Sequence, residues 1–105
     1  MFLARVQGHV VASQKDTQLS GLKLLIVEPL RVSYDDKKGG DFERTGRAIV
    51  AGDRIGAGEG QLVLIVQGSS ARMMEGCNKM PIDAIVVGLV DEAVVKSKRV
   101  ELGNV

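Results

Sequence analysis

Aromatic side chains are scarce. Phe2, Tyr34 and Phe42 are the only three, there is no tryptophan, and the aromatic share is 3%. A core must then be built from Val, Ile, Leu, Ala and Met, and small β-branched residues suit a tightly curved sheet or a small barrel. The same scarcity removes the stacking platforms on which single-strand binders lay bases. One cysteine, Cys77, and one histidine, His9, are present. No disulfide framework can close within the chain, and no CxxC or Cys/His set exists for a metal, which fits a reducing cytosol. Charge of one sign is lacking as well: 14 Lys and Arg stand against 13 Asp and Glu, a net charge of +1. A nucleic-acid binder ordinarily carries a basic excess, so no nucleic-acid partner is expected. No apolar run approaches the about 20 residues of a membrane span, so no membrane partner is expected either. Residues 1–5 enter a strand-like pattern directly, and no signal peptide is expected.

What is present is a chain of 105 residues, 45% hydrophobic and 26% charged. That is the size and composition of one globular domain, here taken as 1–105. Phe2, Ala4, Val6, Val10 and Ala12 read as one face of a strand; Arg5, Gln7, His9 and Ser13 read as the other, with Leu3 and Val11 as exceptions. This is a period of two, and Gly8 in its middle predicts a bulge or tight bend. Residues 14–20 are polar and predict a turn closed by Gly21. Residues 22–27 are apolar apart from Lys23 and predict a second strand, which Pro29 is expected to end by removing a donor. The stretch 31–47 is the most polar and contains a strong turn signal, Asp-Asp-Lys-Lys-Gly-Gly at 35–40, so 31–47 is expected to be an exposed hairpin loop. Strand character returns at 48–50.

Four glycines fall among residues 52–60, too many for a regular element. Residues 61–67 and 84–90 predict buried strands, the latter interrupted by Gly88. Between them, Ser69 or Ser70 as an N-cap and Gly76 at the far end predict a short helix of about two turns. From about residue 92 a last strand or a tail follows. Five or six short strands, one short helix and no internal repeat give the expected fold: all-β, a small five-stranded barrel of oligonucleotide-binding (OB) outline. That outline concerns shape and implies no ligand.

No catalytic constellation emerges. The Gly56-Ala57-Gly58-Glu59-Gly60 run departs from GxGxxG spacing, lacks a following Lys-Ser or Lys-Thr, and leads into a strand rather than a helix, so a sharp turn is favoured over a phosphate loop. His9 has no second histidine for a metal pair and reads as a surface or interface residue. Cys77 follows the expected helix near Lys79 and reads as a plain thiol. Asp53 and Asp83 lie beside turns and are expected to accept backbone hydrogen bonds. Met73, Met74 and Met80 suit either an adaptable contact surface or core filling. The basic run 96–99 reads as a solvated strand edge. The chain is therefore expected not to be an enzyme, with no catalytic, cofactor-binding or metal residues assigned and no cofactor.

Taken together, residues 56–60, the apolar 62–66, Gly68-Ser69-Ser70-Ala71-Arg72, Pro81-Ile82-Asp83-Ala84 and Val86-Val87-Gly88-Leu89-Val90-Asp91 resemble the bacterial microcompartment vertex protein family. That family includes the carboxysome and ethanolamine-utilisation vertex proteins. Residues 4–12 and 19–29 resemble it too, so the likeness covers nearly the whole chain. The resemblance implies a ring-shaped homopentamer at the vertices of a polyhedral shell in the bacterial cytoplasm, with itself and hexameric shell proteins as partners and no catalytic residues to carry over. The segment 35–47 is longer and more charged than the family's usual linker, and the tail has no clear counterpart. Glycine and small residues permit close approach of backbones, so Gly56, Ala57, Gly58, Glu59, Gly60, Gly68, Ser69, Ser70 and Arg72 are the expected subunit interface. The alternative is an OB-type module that binds nucleic acid or a small ligand. Neutral charge and missing aromatics weigh against it.

Overall fold

The computed structural model describes residues 1–12, 19, 21–35, 39–68 and 83–102. Among the described residues eight strands form: β1 (Phe2–Val10), β2 (Lys23–Asp35), β3 (Gly39–Arg44), β4 (Ile49–Asp53), β5 (Leu62–Gln67), β6 (Ala84–Leu89), β7 (Val94–Val95) and β8 (Lys98–Arg99). The order is β1-β5-β6-β4-β2-β3, and a further β1–β2 pairing closes β1, β5, β6, β4 and β2 into a five-stranded barrel. The β4–β6 pairing, Gly52 opposite Ile85, is parallel, and the other barrel pairings are antiparallel. This is the expected all-β barrel of OB form. The expected helix, over 69–76, lies outside the described residues, as does nearly all of the expected turn at 14–20.

The barrel interior is aliphatic. Ala4, Val6, Leu25, Val27, Val63, Ile65 and Val86 are buried in one cluster, with Phe2 packed at its margin. β-branched side chains fill the small radius that three aromatics could not.

Four expectations are corrected. Pro29 does not end β2, which runs on to Asp35. The β2–β4 ladder stops at Val27 and the β2–β3 ladder starts at Leu30, so Pro29 stands where that edge of β2 needs no N–H donor. The bulge predicted at Gly8 is present, with Val6 opposite Val27 but Gly8 opposite Ile26. The extra residue is Gln7, and a one-residue slip moves the rest of β1 to the other face. Val10 therefore faces outward rather than sharing a face with Ala4 and Val6, and exposed His9 leaves the face of Arg5.

The polar stretch after residue 30 is paired strand rather than loop. β2 and β3 form an arm in which Leu30 lies opposite Arg44 and Asp35 opposite Gly39. Residues 36–38, at the centre of the expected turn, lie outside the described residues. Alternating charges keep the arm's outer side wet, as in the Arg31–Glu43 ion pair at 3.1 Å.

The segment from residue 92 is neither one last strand nor a loose tail. β7 and β8 form a hairpin whose turn, Lys96-Ser97, has φ of 52° and 65°. Two successive positive φ values make the tight turn whose twist matches flanking strands. The hairpin lies on the arm: a Cβ at Gly40 would fall 2.5 Å from Val95 Cβ, so glycine is what lets the two layers meet. Val100 is buried with Leu30, Phe42 and Leu62 in a second cluster. The ammonium of Lys96 sits 5.2 Å from the Tyr34 ring centre, within cation–π range.

Candidate functional site

The glycine-rich segment 54–60 joins β4 to β5 and is held almost entirely by polar contacts to its own chain. Asp53, at the end of β4, is buried, and its carboxylate faces back along the loop. Oδ1 accepts the Ile55 N–H at 2.9 Å, and Oδ2 accepts those of Gly56 at 3.2 Å and Ala57 at 2.7 Å. Three convergent N–H donors offset the desolvation of a buried carboxylate. Asp53 was expected to accept backbone hydrogen bonds, and it does. The same contacts turn these donors inward, away from any external anion.

The rest of the loop is tied down in sequence. Gly58 N–H donates to Gln61 Oε1 at 2.6 Å, and Gln61 N–H donates to the Gly58 carbonyl at 3.1 Å. Gly60 N–H donates to the Val6 carbonyl at 2.8 Å, and Val6 N–H to the Gln61 carbonyl at 2.9 Å, so the loop fastens onto β1 beside its bulge. Lys23 Nζ donates to the Ala57 carbonyl at 3.2 Å. Arg5 donates to the Gly60 carbonyl at 2.6 Å and, through its other terminal nitrogen, to the Leu102 carbonyl, which joins the loop to the C-terminal segment. The Arg5 Nε is buried without a partner among the described residues.

Ala57 is fully buried, whereas Gly56, Glu59 and Gly60 are exposed and Gly58 is half-buried. Gly56 and Gly60 have φ of 96° and 88°, a region L side chains rarely adopt. Gly58 is not in that region, and a Cβ there would meet only Gln61 Oε1 at 3.7 Å. The loop thus presents a backbone rim without side-chain bulk, braced from behind. The N–H groups of residues 55, 56, 57, 58 and 60 are all taken up within the chain.

Of the predicted interface residues, Gly56 to Gly60 come together in this loop. Gly68 lies at the far end of β5, where its N–H donates to the Asp83 carbonyl at 2.6 Å. Ser69, Ser70 and Arg72 lie outside the described residues, as do Met73, Met74, Cys77 and Met80. Sequence reading missed Arg5, Lys23 and Gln61 as loop supports. Lys23, the lone charge in an apolar strand, was the one visible signal. Among the described residues, no three His, Cys, Asp or Glu side chains gather as metal ligands would.

Comparison with known proteins bears on the family and on the fold. A family model described as ethanolamine utilisation protein EutN/carboxysome matches residues 1–91. The chain is 44% identical over 97 residues to a carboxysome shell vertex protein, CcmL, of Synechocystis sp., covering 92% of this chain and 89% of that one. It is 47% identical over 91 residues to a bacterial microcompartment shell vertex protein, PduN, of Salmonella typhimurium, covering 87% and 96%. Its fold is similar to that of GrpN, a pentameric microcompartment shell protein from Rhodospirillum rubrum, with a TM-score of 0.68 and 40% identity over 87% of this chain and 94% of that one.

Proposed function

This chain belongs to the EutN/CcmL family, and on that premise we propose that it is a structural shell protein whose five copies close into a ring and cap a vertex of a bacterial microcompartment. The observation that carries the reading is the likeness to GrpN over 94% of that pentameric protein. The closed barrel supports it: every barrel strand has two neighbours, so the barrel itself offers another copy faces and loops rather than sheet edges. A five-membered ring needs a heterologous contact that closes on rotation.

The 105 residues act as one domain, with the arm and the C-terminal hairpin as its peripheral parts. Gly56, Ala57, Gly58, Glu59, Gly60, Gly68, Ser69, Ser70 and Arg72 lie at or near the contact between copies, with Glu59 and Arg72 making polar contacts. The glycine rim and its internal bracing support that placement. The ring sits among hexameric shell proteins, in a shell within the bacterial cytoplasm. The role is structural, and no chemistry is assigned to any side chain.

Co-assembly tests the proposal. Hexameric shell proteins produced with this chain should yield closed polyhedral particles carrying it in sub-stoichiometric amount. Without it they should yield sheets, tubes or particles with open corners. Closed particles of equal yield in its absence, with none of the chain incorporated in its presence, would contradict the vertex role.

A further inference from the structure

The outer wall of the barrel is covered unevenly by its own chain. β1, β2 and β4 lie side by side, and their registers align the outward positions in rows: Gly8, Ile26 and Val50 in one, and Val10, Leu24 and Gly52 in the next. Leu25, Val27 and Ala51 point into the core, so alternation sends Leu24, Ile26 and Val50 outward. The bulge at Gln7 adds Val10 to them. Val50 is 52% exposed, and Val10, Leu24 and Ile26 are half-buried. A Cβ at Gly8 would meet nothing within 4 Å, which leaves an open seat beside Ile26. No charged residue stands in either row.

Parts of the wall elsewhere have a cover. Leu62 and Leu3 lie under Val100 and Leu102 of the C-terminal segment. The Glu28 carboxylate lies under Arg44 and Gly46. At the end of the second row Leu22 closes over Gly52, which leaves that position out of the open patch. The Val10–Leu24–Ile26–Val50 patch is, among the described residues, an apolar sheet face left open at Val50; Leu64 and Val66 on the outer side of β5 are half-buried too.

We infer that this face receives a second copy of the chain, forming the apolar centre of the contact that closes the ring. The inference rests on the pentamer reading and extends it to named residues. A charge-free aliphatic patch has the composition of an interface centre. It is also continuous with the glycine rim, because β4 runs from Val50 through Asp53 directly into the loop, where Ile55 is again exposed. Because a ring contact is heterologous, the surface seated on it is a different one of the neighbouring copy.

The test uses the full chain and light scattering coupled to gel filtration. Val50→Glu should lose the five-chain species and run as single chains while keeping its β-sheet circular dichroism. Val32→Glu, on the arm and also exposed in the wild type, should keep the five-chain mass. A second measurement does not depend on how Val50→Glu folds. In a Cys77→Ser background, Val50→Cys should react with a maleimide at least about tenfold more slowly than Val32→Cys in the assembled ring, since thiol labelling needs access. A five-chain wild type with a five-chain Val50→Glu, or with equal labelling at the two positions, overturns this inference and leaves the ring reading standing. A wild type of single-chain mass removes the ring reading and this inference with it.

Discussion

Glu28 Oε1 accepts from Arg44 Nε at 3.0 Å, with the carboxylate side chain 4% exposed and the arginine side chain 66% exposed. The same carboxylate takes the Gly46 N–H at 2.8 Å and the Gln7 side-chain amide at 3.3 Å. It sits where β2 leaves the barrel ladder and enters the arm ladder, so it pins the arm and the β3–β4 connection to the bulge of β1. The contacts are unequal in what they risk. Glu28→Ala removes the acceptor of three donors and should cost about 1.5 to 3 kcal/mol. Arg44→Ala removes a mostly hydrated guanidinium and leaves the carboxylate its other two donors, so it should cost less, about 1 kcal/mol. Urea unfolding of the two variants checks the order, and equal losses would contradict it.

Asp53 is the corresponding lock for the glycine loop. Asp53→Ala leaves the N–H groups of residues 55–57 without their acceptor and should destabilise the chain by about 2 kcal/mol. Asp53→Asn keeps one acceptor oxygen and should lose less. Hydrogen exchange at Ala57, whose N–H is now held at 2.7 Å, should accelerate in both variants, and more in the alanine one. Unchanged exchange at Ala57 would show that the carboxylate does not hold the loop.

Two glycines of the rim separate fold from assembly. Gly56 has a φ of 96°, so Gly56→Ala strains the chain itself by about 1 to 2 kcal/mol, whatever docks there. Gly58 has no such constraint, and a Cβ there would meet only Gln61 Oε1 at ordinary contact distance, 3.7 Å. Gly58→Val should therefore leave the secondary structure and the unfolding of dissociated chains near those of the wild type while weakening the oligomer. Sedimentation over a dilution series reads that difference, and an unshifted dissociation midpoint would remove Gly58 from the interface.

Much of the barrel was legible because local periodicity and burial agree. The alternation of residues 2–6, the apolar run 62–66 and the run 84–87 each became the expected strand. What escaped depends on long-range partners. Pro29 reads as a strand stop, and only the change of ladder between Val27 and Leu30 makes it harmless. Gly8 marked the bulge, but the opposing strand alone makes Gln7 the inserted residue and turns Val10 outward. The polar residues of 31–44 carry weak strand signals, and Phe42 becomes core only because Val100 reaches it. Lys96-Ser97 has no glycine or asparagine to announce its tight turn. At the candidate site the glycines were visible, whereas their supports, Arg5 and Gln61, are ordinary polar residues until the fold brings them to residues 58, 60 and 102.

Solution mass tests the account most directly. Light scattering coupled to gel filtration, at low and at high salt, should give five times the 11.2 kDa of one chain. The value should hold at high salt, because the proposed contact is apolar at its centre. A single-chain mass at high protein concentration would contradict the vertex role and leave the barrel without the ring on which the account depends.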